Sequence, residues 1–176
     1  MREIEETLKA IGERNGLEIA LDENGACVLE LNDGRVVLLQ ERANLHELDF
    51  VATLGVVPEE LRAEVFTGLL SANFYWNETF GATISWNADL EEAVIIYPLP
   101  LADVTPESVE TIFLRFVELQ AAWAKRFAGM VAAAQERASG ETEEDNVEDD
   151  GEEDFEDDGG ASPSDEGGDD HFIIHP

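Results

Sequence analysis

Residues 17–40 read LEIALDENGACVLELNDGRVVLLQ. Two turn signals, Glu23-Asn24-Gly25 and Asn32-Asp33-Gly34, cut this stretch into three short runs rich in Val, Leu and Ile, the pattern of hairpin-linked strands. An antiparallel meander is expected at about residues 17–21, 26–31 and 35–40. A sheet with one wet face alternates apolar and polar residues along each strand. Here Val36 and Leu38 point one way, Val37 and Leu39 the other, and all four are apolar. Val28-Leu29 and the later run Ala93-Val94-Ile95-Ile96-Tyr97-Pro98-Leu99 repeat the pattern. Helices can cover one face of such a sheet. The other face needs cover too, and few elements remain to provide it.

Those helices are legible from their periodicity. Ile4, Leu8 and Ile11 share one face of a helix over residues 3–14, with Asn15-Gly16 as its stop. Residues 43–56, ANLHELDFVATLGV, fit either helix or extended structure and read rather as extended or loop. Pro58 suits the first turn of a second helix, with Glu59 and Glu60 at its positive end. Its apolar stripe is Leu61, Val65, Leu69 and Ala72, and Asn73 stands where it ends. Gly68 in its middle costs about 1 kcal/mol relative to Ala; it either admits a close backbone approach or is simply tolerated. Two strands follow, ATISWNA and EAVIIYPL, and then Thr105-Pro106-Glu107 opens a third helix. The stripe Val109, Ile112, Phe113, Phe116, Val117, Trp123, Phe127 and Val131 carries that helix to about Ala138. The order is α-β-β-β-α-β-β-α, an α+β domain over residues 1–138 with a twisted antiparallel sheet packed by helices.

The charge is unevenly spread. Of 41 acids, 17 lie from Ser139 onward, where there is no Lys or Arg, leaving 24 acids against 10 bases in the body. A segment of Glu, Asp, Gly and Ser cannot offset its ordering entropy, so residues 139–176 are expected to be disordered. Within them, NVEDDGEEDFED (146–157) has some spacings of a calcium loop. It ends in Asp157 where a bidentate Glu belongs, and lacks flanking helices, so it reads as a solvated charge run. The last residues, HFIIHP, break the acidic pattern. Phe172, Ile173 and Ile174 form either a passive end or a short motif that docks on a groove or sheet edge.

With no basic stripe, both parts repel nucleic acid and anionic membrane surfaces. The first residues, MREIEETLKAIGERNG, lack the apolar core of a signal peptide, and no apolar run approaches the ~20 residues of a membrane span. A reducing cytoplasm is the expected setting. Cys27 is the one cysteine; it cannot form an intrachain disulfide and sits in a strand among apolar neighbours, the setting of an inert thiol. His46 is the one histidine before residue 139, too few for a metal site. No nucleophile, acid–base pair, phosphate loop or cofactor motif is present, so the chain reads as a binding protein. An acidic mimic of nucleic acid would draw on the tail alone.

The densest aromatic cluster is LLSANFYWNETFGATISWN, residues 69–87, with Phe74, Tyr75, Trp76, Phe80 and Trp86. Core packing claims some of these rings, but Tyr and Trp are also favoured anchors of binding surfaces. The same region resembles the type III secretion chaperones of the Tir-chaperone (CesT-like) kind, class I. The resemblance rests on Leu69, Leu70, Ala72 and Asn73 at a helix end, Gly81, Ala82, Thr83 and Ile84 at a strand start, and Val94 and Ile95 in the next strand. It covers roughly residues 3–130. It implies a small acidic homodimer that wraps the non-globular N-terminal segment of a secreted effector, keeps it unfolded and presents it to the secretion apparatus, whose ATPase is a further partner. It also implies dimer contacts from Leu61, Val65, Gly68 and Leu69. Ile4, Leu8, Val36, Leu38, Phe74, Trp76 and Trp86 are the groove candidates. The long last helix and the acidic tail depart from the family pattern, and an adaptor on the same fold that binds a folded partner is the alternative.

Overall fold

The computed structural model describes residues 3–15 and 19–144, so the acidic segment beyond Glu144, with Phe172, Ile173 and Ile174, lies outside the described residues. The elements are α1 (Glu3–Asn15), β1 (Ala26–Glu30), β2 (Val36–Arg42), β3 (Glu47–Val56), α2 (Arg62–Ala72), β4 (Thr83–Asn87), β5 (Glu92–Pro100) and α3 (Pro106–Glu144). A 3-10 turn at Glu59–Leu61 leads into α2. The five strands form one antiparallel sheet in the order β1-β2-β3-β5-β4.

The α-β-β-β-α-β-β-α order holds, but its third strand is a different segment from the one expected. Residues 47–56 form the longest strand of the sheet, and residues 19–22 form none; residues 17 and 18 lie outside the described set. Period alone cannot separate a short apolar run in a central strand from a buried helical segment. Strand β3 is that central strand, paired with β2 on one side and β5 on the other. Upstream, Asp22 is committed to a turn. Its Oδ1 accepts the N–H groups of Ala26 at 2.9 Å and Asn24 at 2.8 Å, and these bonds hold its carboxyl below the usual carboxylate range. Its own N–H donates to Ala26 O at 2.8 Å. Ile19 meanwhile drops into the core.

The sheet divides into two faces as its double apolarity requires. Across the helix-covered face, Cys27, Leu39, Phe50 and Tyr97 stand in register, and Val37, Leu48, Ala52, Ile95 and Leu99 join the core. Helix α3 lies over β3, with Phe116 packed on Phe50 at 6.0 Å between ring centroids. A β-bulge between Thr53 and Gly55 leaves Thr53 O to accept from Gln120 Nε2 at 3.1 Å. Gly55, at φ 142°, lets the Phe127 ring approach so closely that a Cβ there would lie 2.7 Å from Cε1. Helix α3 begins with a reciprocal cap: Ser108 N–H donates to Thr105 Oγ1 at 3.1 Å and Thr105 N–H donates to Ser108 Oγ at 2.9 Å. It runs 39 residues, to Glu144.

Candidate protein-binding surfaces

The side chains expected to build the site fall into three places. Ile4 and Leu8 of α1 are buried in the core, as are Leu61, Val65 and Leu69 around α2, each at most 5% exposed. Gly68 faces α3, where a Cβ would meet Met130 Sδ at 3.3 Å. The apolar stripe of α2 is therefore occupied within the chain, and Leu70 is the exposed large apolar residue of that helix. Trp86 is half-buried, edge-on to Phe66 at 5.0 Å and beneath the Arg62 guanidinium at 5.1 Å. Val36, Leu38, Phe74 and Trp76 face outward.

Val36 and Leu38 belong to the first surface, the sheet face opposite the helices. Val28, Leu38, Val51 and Ile96 stand in register across it. Val28 is 65% exposed and Val36 44%, while Leu38, Val51, Val94 and Ile96 are half-buried. Toward the far ends of β2 and β3 the face turns polar. There Arg42 pairs with Glu47 at 3.0 Å and with Asp49 at 2.5 Å, and burial holds the Asp49 carboxyl above its ordinary range against the pull of Arg42. The apolar part has no cover among the described residues.

This face meets an open strand edge. Glu41 N–H bonds to Gly25 O, and Leu31 N–H to Arg35 O, which sets the phase of the ladder: odd residues of β1 bond to β2, and even residues point away from the sheet. The outward groups of Ala26 are taken by Asp22. Those of Val28 and Glu30 have no hydrogen-bond partner among the described residues. Beneath the same edge, a groove of about 690 Å³ opens between α1, β1 and α3, lined by Leu8, Ile11, Leu29, Leu31, Val109 and Phe113, and it reaches Val28. An unpaired row of N–H and C=O beside an apolar trough is a template for an added strand.

The opposite edge is capped at Ile84. Asn73, which ends α2, reaches across to β4, where its Nδ2 donates to Ile84 O and its Oδ1 accepts Ile84 N–H, both at 2.9 Å. Ala82 N–H bonds to Thr79 O at 3.0 Å. The side chain of Asn73 thus takes the place of a neighbouring strand.

The second surface is the connection from α2 to β4. Tyr75, Trp76 and Phe80 take positive φ (53°, 53° and 51°), a conformation that costs a residue with a Cβ on the order of 1–3 kcal/mol. The connection is nevertheless fixed: Thr79 is fully buried, Trp123 Nε1 donates to Glu78 O at 3.1 Å, and Arg126 pairs with Glu78 while lying over Trp123. Held this way, Phe74, Tyr75, Trp76 and Phe80 each leave more than half of their surface to solvent. Sequence reading picked out the aromatic density but not the backbone strain that displays it, for which no residue type is a signal.

Among the described residues no three His, Cys, Asp or Glu converge as they would on a metal ion. Cys27 is buried, and burial, with Asp22 as a lesser cause, raises its thiol pKa away from the reactive thiolate. No helix of the described residues is long and apolar enough to cross a membrane. The arrangement can bind polypeptide, by backbone pairing at β1 and by apolar contact at the groove, the open face and the aromatic connection.

Comparison with known proteins agrees. The profile of the Tir chaperone protein (CesT) family matches residues 6–124. A search of curated proteins by sequence gave no match. Among solved structures, a chain of the ExsC–ExsE complex superposes with a TM-score of 0.61 at 22% identity, covering 70% of this chain and 92% of that one. A chain of the heterodimeric ExoU–SpcU complex from the type III secretion system of Pseudomonas aeruginosa gives 0.55 at 14%, covering 70% and 97%. A chain of the Yersinia pestis structure of the type III secretion chaperone SycH with a fragment of YscM2 gives 0.52 at 17%, covering 68% and 98%. At these identities the structural matches establish the fold.

Proposed function

The chain belongs to the Tir chaperone protein (CesT) family of type III secretion chaperones, and on that premise we propose that it carries an extended, non-globular segment of a secreted effector along the β1 edge. The observation that carries this reading is the meeting of three unsatisfied features at Val28: an open strand edge, an apolar groove and an uncovered apolar sheet face. A segment added at Val28 and Glu30 would hydrogen-bond through its backbone. Its alternate side chains would fall into the α1–β1–α3 groove and onto the Val28–Leu38–Val51–Ile96 face. Leu8 would act as part of the groove lining, whereas Ile4 is buried in the core outside that lining. A folded partner could pair here only through an exposed edge strand of its own, whereas an extended segment also supplies alternate side chains to the groove and the open face, so the extended client is favoured over the folded one.

A further structural match, to a chain of the HopA1–SchA chaperone–effector complex (TM-score 0.56 at 12% identity, covering 68% of this chain and 91% of that one), supports an effector as the client. A cytoplasmic setting, with hand-over to the secretion apparatus, follows from the same reading. The strained aromatic connection suits a second copy of the chain. A two-fold axis near Leu70, Phe74 and Trp76 would bury exposed rings against their own equivalents, so α2 would serve the dimer through its outer face and C-terminal connection.

The test is capture with the tagged full-length protein in its host, followed by limited proteolysis of what is bound. A partner protected only over an extended segment near its N-terminus is the expected result. A partner held through a compact folded domain would overturn the reading.

A further inference from the structure

A second groove, of about 480 Å³, lies along α3 and is lined by Phe80, Tyr97, Ile112, Phe116 and Leu119, with Arg115, Glu118 and Ala122 along the helix. It is separate from the α1–β1–α3 groove. Its flank is unusual in electrostatic terms. Lys9, Arg14, Arg35, Arg42, Arg62, Arg126 and Arg137 each pair with a carboxylate. Arg115 and Lys125 are the described cations with no carboxylate in ion-pair reach. Positions 115, 118, 122 and 125 recur on one face of α3, so Arg115 stands within the groove's lining and Lys125 about one turn beyond Ala122, with Glu118 the one acid between them. In a chain of net charge −31, this is the place among the described residues where apolar surface and uncompensated positive charge coincide.

One segment of the same chain has the matching chemistry. Beyond Glu144, large apolar residues stand alone among acids, as Val147 and Phe155 do, except at Phe172-Ile173-Ile174, which follow Asp165, Glu166, Asp169 and Asp170. The distances also fit. Ala122 lies 22 residues before the end of α3, about 33 Å along the helix axis. The 27 residues between Glu144 and Phe172 have a root-mean-square reach of roughly 29 Å as a flexible chain, and more when like charges extend it. A tether whose natural span matches the gap gives close to the highest effective concentration. Approaching from the end of α3, the acids arrive beside Lys125 before the apolar triplet reaches Leu119 and Phe116.

We propose that residues 165–174 dock in this groove of their own chain, with the carboxylates at Lys125 and Arg115 and with Phe172, Ile173 and Ile174 against Tyr97, Ile112, Phe116 and Leu119. The groove is thereby occupied until a competing ligand displaces the segment. This inference stands whether or not the chain carries an effector, because it concerns a different groove and an internal ligand.

The test is paramagnetic relaxation in the full-length, isotope-labelled protein carrying a nitroxide at S164C; buried Cys27 is replaced in the same chain as C27A. The expected result is a loss of amide intensity confined to residues 112–125 and the neighbourhood of Phe80, restored when the nitroxide is reduced. The loss should vanish in F172A/I173A/I174A, which alters no described residue. It should weaken sharply with R115E/K125E, two exposed positions without partners, and with added salt. Uniform weak broadening, broadening centred on the α1–β1–α3 groove, or full persistence in R115E/K125E would each overturn the proposal. So would broadening that appears only between differently labelled copies in a mixture.

Discussion

Asn73 shows how far one side chain can reach in this fold. Sequence marks it as a helix terminator; the structure adds two hydrogen bonds to the backbone of Ile84. Asn73→Ala removes both and leaves a part-buried N–H and C=O unsatisfied, a cost of about 1–3 kcal/mol that chemical unfolding would register. Glycines give a paired test. At Gly55 an added Cβ meets the Phe127 ring at 2.7 Å in a backbone conformation that disfavours side chains, so Gly55→Ala is expected to lower stability by roughly 1–3 kcal/mol. Gly129 sits in α3 with open space where a Cβ would go, so Gly129→Ala is expected to raise stability by about 0.5–1 kcal/mol. The same unfolding series reads both, and equal effects would mean that the Phe127 contact is not what Gly55 serves. Neither the Asn73–Ile84 bonds nor the Gly55–Phe127 contact was legible beforehand, because each depends on a partner distant in sequence.

At the scale of elements, the helices were the most legible part. The stripes of α1 and α2 predicted which side chains are buried, that of α3 holds four buried and four half-buried residues, and the Thr105-Pro106-Glu107 start is where α3 begins. Strands were harder. The two-faced apolarity of β2 correctly split Val37 and Leu39 from Val36 and Leu38, yet residues 17–21 look more like a strand than residues 47–56 do. What decides between them is long-range: β3 is bracketed by β2 and β5, whereas Asp22 turns the earlier segment away from the sheet. The resemblance pointed to α2 for the dimer, but the stripe it used is packed inside the chain. Leu70 and the strained 74–80 connection are what α2 presents outward. The β1 edge yields a clean prediction. Val28 N–H points out of the sheet, so Val28→Pro removes no ladder bond and edge strands tolerate it. It should leave thermal unfolding nearly unchanged while abolishing strand addition, giving at least a tenfold loss of client affinity, about 1.4 kcal/mol. A variant that binds normally would place the client elsewhere.

For the whole molecule, strong negative charge and exposed apolar surface belong together. Like charge keeps copies apart in solution while the groove, open face and aromatic connection remain available for specific contact. On the proposed reading, two surfaces at opposite sheet edges also separate two tasks, with β1 open to a client and the connection beside β4, where Asn73 caps Ile84, displaying rings to a second copy. Light scattering on the purified protein should therefore give a dimer mass, and Phe74→Ser/Trp76→Ser should give a monomer that still binds client. A dimer unaffected by that pair would move the interface away from the connection. The central claim, that an extended client adds to β1, is tested most directly by amide hydrogen exchange with and without bound client. In the free protein the N–H groups of Val28 and Glu30 should exchange far faster than those of Cys27 and Leu29, which bond to β2. Client binding should slow Val28 and Glu30 to the rate of their neighbours. If both stay fast while amides elsewhere become protected, strand addition at this edge is contradicted.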